Sequence, residues 1–234
     1  MRALRTACAA VAALVLAGCA AGSARTAPAP PANGREGDAL IRYAQQVLVD
    51  RCLAGRGLTT AGRPASPEES GRLQAALFGA GPTELSLTLP TGHTVRAHTD
   101  GCLAAARHTL YGDQRRWFRA EVTVNNLGAE AAARMRADPA HRAARARFVR
   151  CLESAGESPT RAGDTAALQR CRRGSGLASA EARLEPVQLA EVRSLRRDQL
   201  TVHEQLRTGA LHRAAEISAA HHHGNNPEKG PSSP

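Results

Sequence analysis

The chain has 234 residues, room for one domain of ordinary size plus tails. Apolar residues make up 42%, much of it Ala, with only three Phe, two Tyr and one Trp, a composition that favours helices over sheets. The formal charge is +10, and Lys229 is the only Lys among 31 basic residues, which excludes Ser-x-x-Lys chemistry. Arg in place of Lys, with abundant Ala and Gly, also reads as high-GC coding, so part of the Arg content is codon bias.

Residues 1–19 read as a targeting segment outside the fold. Arg2 and Arg5 form a positive start, and Ala7 to Leu16 is an apolar run too short to span a bilayer. The run closes on Leu16-Ala17-Gly18-Cys19, which matches the bacterial lipobox at all four positions. Cys19 is therefore the expected lipidation site, and the membrane is the expected partner through that N-terminal lipid. Residues 20–37 are rich in Ala, Pro, Gly, Ser and Thr and read as an extended tether.

The predicted domain covers residues 38–220. Leu40, Ala44, Val47, Leu48 and Cys52 recur at helical steps, and Gly55 and Gly57 end that helix. Ser66-Pro67-Glu68-Glu69 predicts a helix start, with Ser66 as N-cap and Glu69 completing a capping box. From Glu84 to Thr99, Leu85, Leu87 and Leu89 alternate with polar residues, and Pro90-Thr91-Gly92 turns the chain into one short hairpin. A lone hairpin is marginal, so its Leu face must pack on helices.

Asp100 is the expected cap of the next helix, and Tyr111-Gly112-Asp113 interrupts and restarts it. Trp117, Phe118, Val122 and Leu127 follow as the aromatic centre. Asp138-Pro139 opens a helix through Phe148 and Cys151 to Gly156, and Gly163-Asp164 opens another that carries Leu168 and Cys171. From Ala178 to about Ala220 one long helix is predicted, bent near Pro186 and packed back on the domain. Leu189, Val192, Val202 and Leu206 mark its face, with Gln199 flawing the seam. Residues 221–234 read as a disordered polar tail.

Four cysteines remain beyond the targeting segment: Cys52, Cys102, Cys151 and Cys171. An even number in an exported chain predicts disulfides, and four cysteines allow three pairings. No pair is spaced as Cys-x-x-Cys, and no Cys-His cluster has zinc spacing. The stretch Val49 to Gly57 echoes Phe148 to Gly156: an apolar residue three before the Cys, then Arg-Cys-Leu, then Gly five after it. The echo predicts two helical segments, each closed by a disulfide.

Arg134, Arg136, Arg142, Arg145, Arg147 and Arg150 form a basic run with Asp138 as its only acid, extended by Arg170, Arg172 and Arg173. It is the candidate face for an anionic wall polymer or lipid headgroups. Nucleic acid is not an expected partner, because no recognition motif is present and aromatic residues are few. His221-His222-His223 in a loose tail would bind metal only unselectively, so no metal or cofactor site is assigned. His93 and His98 flank the hairpin as surface residues, with no acid or nucleophile at a recognisable offset. Gly-x-Ser-x-Gly, His-Glu-x-x-His and phosphate-cradling Gly loops are absent.

Several short pieces recur in one order: Arg51-Cys52-Leu53-Ala54-Gly55-Arg56-Gly57, Asp100-Gly101-Cys102-Leu103, Leu110-Tyr111-Gly112-Asp113, Trp117-Phe118-Arg119-Ala120, Asp138-Pro139 and Cys151-Leu152-x-x-x-Gly156. Over most of residues 40–180 this order resembles a group of uncharacterised actinobacterial lipoproteins. Similar proteins often carry Met after the Cys, where this chain has Leu53 and Leu152, an exchange that keeps the volume. The resemblance implies an exported location and disulfides between neighbours, Cys52 with Cys102 and Cys151 with Cys171. It implies no activity.

The fold expected is mostly α, a disulfide-stapled helical domain with one short β-hairpin and a long C-terminal helix. The function expected is that of a non-catalytic, lipid-anchored envelope protein that binds or supports. The alternative is an envelope hydrolase or transferase whose catalytic groups are scattered along the chain.

Overall fold

The computed structural model describes residues 34–62, 64–156 and 166–225. The lipobox, most of the expected tether, Gly163-Asp164 and residues 226–234 lie outside them. Among the described residues the chain runs α1 (Gly34–Ala54), α2 (Pro67–Phe78), β1 (Leu85–Thr88), β2 (Thr94–Ala97), α3 (Cys102–Tyr111) and α4 (Gln114–Asn125). It continues through α5 (Leu127–Ala137), α6 (Pro139–Ser154), α7 (Ala166–Gly174), α8 (Leu177–Leu195) and α9 (Arg197–Asn225). The fold is therefore mostly helical, with one antiparallel hairpin and a long C-terminal helix. No described helix is long and apolar enough to cross a membrane.

Local chemistry sets most helix boundaries. The Ser66 hydroxyl accepts from the Glu69 N–H at 3.2 Å, with Pro67 supplying the fixed φ of a first helical position. Asp113 caps α4 by accepting from the Arg115 and Arg116 N–H groups, and Asp138 caps α6 through Ala140 and His141. α1 ends where the Leu58 N–H reaches the Leu53 carbonyl and the Gly57 N–H reaches Ala54, with Gly57 at φ 67°. Such a left-handed exit suits Gly, and Gly156 repeats it after α6 at φ 71°.

The hairpin pairs Leu85 with Ala97 and Leu87 with Val95, and Leu85 and Leu89 are buried. β1 packs against α4, so helices cover its apolar face.

The helices pack as two groups. α9 lies along α1 and also covers α3 and α4, while α8 lies along α5 and touches α6 and α7. In the first group Ile41, Ala44, Leu110, Trp117, Ala210 and Ala214 form one cluster. Ala44, Ala210 and Ala214 are fully buried, so the Ala content is what lets α1 and α9 approach closely. A second cluster ties α1 to α2 and α3 through Val49, Leu53, Ala76, Cys102 and Ala106. In the other group Phe148, Leu152, Cys171 and Leu177 join α6, α7 and α8. The expected single stripe on α1 thus understates its burial, since Ile41, Val49 and Leu53 are buried as well.

Five expectations need correction. The helix starts at Gly34, inside the stretch read as tether, because α9 reaches it: Arg207 donates to the Gly34 carbonyl at 3.0 Å and to Asp38 at 2.8 Å. α9 continues through His221 and His222, where a loose tail was expected. There Tyr43 of α1 meets the His221 Nδ1 at 2.9 Å and stacks on the His222 ring. The expected single long C-terminal helix is two, α8 and α9, divided at Arg196, and Pro186 sits on the exposed side of α8. Trp117 and Leu127 belong to two helices divided at Asn126.

Asp100 does not cap α3, whose N-cap is Gly101. Its carboxylate instead accepts from the N–H groups of Ala80 and Gly81 at 2.9 and 3.0 Å, which holds it below the usual carboxylate range, Gly81 contributing most. A side chain on Gly101 would meet the Gly79 nitrogen at 2.5 Å, so this crossing requires Gly. It fixes the start of α3 and with it Cys102.

Candidate functional site

Disulfides join Cys52 to Cys102 and Cys151 to Cys171, with Cα separations of 5.7 and 5.6 Å. The first links the end of α1 to the start of α3, and the second links α6 to α7. Cys102 and Cys171 are buried in the clusters around them, so both bridges staple the core. The two expected bridges are both present, and the C-terminal helix packs back on the domain as expected, α9 closing the first group.

The arginine run does not converge on one point. Arg134 is engaged by Glu130 and by Glu191 at 3.2 Å. Arg147 donates its Nε–H to the Ser175 carbonyl at 3.0 Å, closing the end of α7. Arg172 pairs with Glu181. Arg136, Arg142, Arg145 and Arg150 are exposed and make no ion pair with a described residue. The opposite face of α6, carrying His141, Ala144, Phe148 and Leu152, is buried. Arg170 and Arg173 are likewise exposed without an ion pair to a described residue.

Glu130 is the buried acid among the described residues, 6% exposed. Arg196 approaches it with Nε to Oε2 at 3.1 Å and Nη2 to Oε1 at 3.0 Å. Since Arg196 stands between α8 and α9, this pair fixes the joint between the two helix groups.

A cleft of about 390 Å³ lies between the hairpin, α3 and α4. Its apolar lining includes Leu85, Trp117, Phe118 and Val122, and its polar lining includes Arg96, His98 and Arg107. Tyr111 stacks on Trp117 with ring centroids 3.5 Å apart, and His203 of α9 stacks on the Trp117 ring at 5.1 Å. Burial pushes the Tyr111 phenol up to about 12, with the Glu121 charge adding to it, so the ring stays neutral. Glu121 is the only carboxylate of the lining, and both its oxygens are engaged: Oε2 by His203 at 2.9 Å and Oε1 by Asn125 at 3.0 Å.

The sequence reading missed this cleft. Its residues come from α1, the hairpin, α3 and α4, and His203 is 82 positions from its partner Glu121. The one available signal was the aromatic cluster at Tyr111, Trp117 and Phe118. His98, expected at the surface, is partly covered, with its Nδ1 buried 3.6 Å from Asp100. No group of three or more His, Cys, Asp or Glu among the described residues is arranged to hold a metal. Set against family models, curated proteins and solved structures, the chain has no significant match to any of them.

Proposed function

We propose that the chain is a lipid-anchored protein of the extracytoplasmic membrane face that acts by binding. The observation that carries this reading is the Leu16-Ala17-Gly18-Cys19 lipobox behind a positive start and a short apolar run. Two disulfides are compatible with the oxidising compartment this location implies. Cys19→Ala is expected to abolish metabolic labelling with fatty acid and to release the protein from the membrane. A wild-type protein recovered in soluble form and cut at another position overturns the assignment.

The binding surface in this reading is Arg136, Arg142, Arg145 and Arg150, facing the phosphates of wall polymers or phospholipid headgroups. Each Arg near an anionic surface contributes about 1 kcal/mol, so changing Arg142, Arg145 and Arg150 to Gln lowers vesicle affinity roughly a hundredfold. Co-sedimentation of the delipidated protein with anionic and zwitterionic vesicles measures this. Binding to the anionic vesicles should fall between ~0.05 and ~0.2 M salt as the Debye length shortens. Salt-insensitive binding, or equal binding by the triple variant, removes the basic face from the proposal.

A further inference from the structure

We propose that the cleft between the hairpin and α3–α4 binds a small amphipathic anion, an apolar body bearing one anionic head. The inference is independent of the α6 basic surface and of the lipid anchor. Two features support it. The first is size and character: about 390 Å³ lined by Leu85, Trp117, Phe118 and Val122 matches the apolar, partly enclosed form of small-molecule sites. The second is charge. Arg96 from β2 and Arg107 from α3 both line the cleft, and neither makes an ion pair with a described residue. A guanidinium placed at the edge of an apolar cleft recognises a carboxylate or phosphate by charge-assisted hydrogen bonds.

His98 also lines the cleft, but its buried Nδ1 faces the Asp100 carboxylate at 3.6 Å, so the proposal does not use it. The single carboxylate of the lining does not oppose this reading. His203 and Asn125 occupy both oxygens of Glu121, which turns its charge toward α9. Nor is the Trp117 ring left open, since Tyr111 and His203 both stack on it. That argues against a sugar stacked on the indole and in favour of an aliphatic body lying along the cleft wall.

Trp117 is the only Trp of the chain, so intrinsic emission reports on this cleft alone. Decanoate, decyl phosphate, decanol and decyltrimethylammonium, each below its aggregation concentration, are the probes. Decanoate or decyl phosphate should change the Trp117 emission saturably and bind at least tenfold more tightly than decanol, and the cation should not compete. Whichever of the two anions binds tighter identifies a carboxylate or a phosphate as the preferred head. Arg96→Gln with Arg107→Gln should weaken anion binding at least tenfold while leaving decanol binding unchanged, with the helical circular dichroism intact. If that double variant loses its helical signal, Arg107→Lys supplies the reading through loss of the bidentate geometry. Arg142→Gln with Arg145→Gln, on the other surface, should leave the emission titration unaltered. Absence of saturable binding, equal binding of decanol and decanoate, or unchanged anion affinity in the arginine variants overturns the proposal.

Discussion

Replacing Cys52 and Cys102 together by Ala is expected to lower the unfolding free energy by about 4 kcal/mol. The bridge spans 50 residues, and closing a loop of that length removes considerable entropy from the unfolded chain. The enclosed loop holds α2 and the whole hairpin, neither of which has a core of its own. The burial of α2 rests on Leu53, Ala76, Cys102 and Ala106, the cluster the bridge crosses, while β1 packs against α4. Cys102 is fully buried, so the lost sulfur atoms add a cavity to the entropic loss. Removing Cys151 and Cys171 should cost about 3 kcal/mol, because that loop spans only 20 residues. Urea denaturation of the two double variants measures both losses, and reduction of the wild type should approach their sum. Losses under about 1 kcal/mol for both would show that packing alone holds the helices.

Glu130→Ala is expected to destabilise the protein by roughly 2–4 kcal/mol, somewhat less than the ~3–5 kcal/mol lost when a fully buried pair is broken. The reduction reflects Arg196, whose side chain is 29% exposed and can turn toward water when its partner is lost. Glu130 holds two guanidinium groups at once, Arg196 in bidentate fashion and Arg134 one helical turn away. Its removal leaves Arg196 beside a hydrophobic cluster of Leu127, Ala131 and Val192 with no acid. Because Arg196 joins α8 to α9, the loss should also loosen the two helix groups at that joint, visible as faster amide exchange around Leu195 and Leu200. Glu130→Leu with Arg196→Met should recover most of the loss, as apolar replacements of buried ion pairs do. A Glu130→Ala variant within about 0.5 kcal/mol of wild type would place the pair among ordinary surface bridges.

The local features of this protein were legible because they depend on neighbours in the chain. Ser66, Asp113 and Asp138 cap helices since a side-chain oxygen two or three residues before a free N–H can accept from it wherever the rest of the molecule lies. The Gly five residues after Cys52 and after Cys151 shows its positive φ for the same local reason. Alternation placed the hairpin and its apolar face, and the Arg-Cys-Leu echo marked the two stapled helices. Helical class followed from Ala and from the spacing of Leu and Val.

What only the tertiary structure decided is which segments far apart in the chain meet. Nothing near Gly34 announces a helix, yet from the far end of the chain Arg207 reaches the Gly34 carbonyl and Leu211 lies beside Gly37. The His residues at 221 and 222 read as tail until Tyr43 is placed beside them. Asp100 carries the signature of a cap, but the backbone of Ala80 and Gly81 stands closer to its carboxylate. Arg134 and Arg147 looked like free charge and proved to be spent on Glu191 and on the Ser175 carbonyl. The cleft likewise exists only where α1, the hairpin, α3 and α4 meet. Spacing along a sequence encodes interactions within a few turns, whereas partners brought together across 80 residues or more, as His203 and Glu121 are, leave no periodic trace. Their pairing is set by how the buried faces fit, and that is settled only when the helices pack.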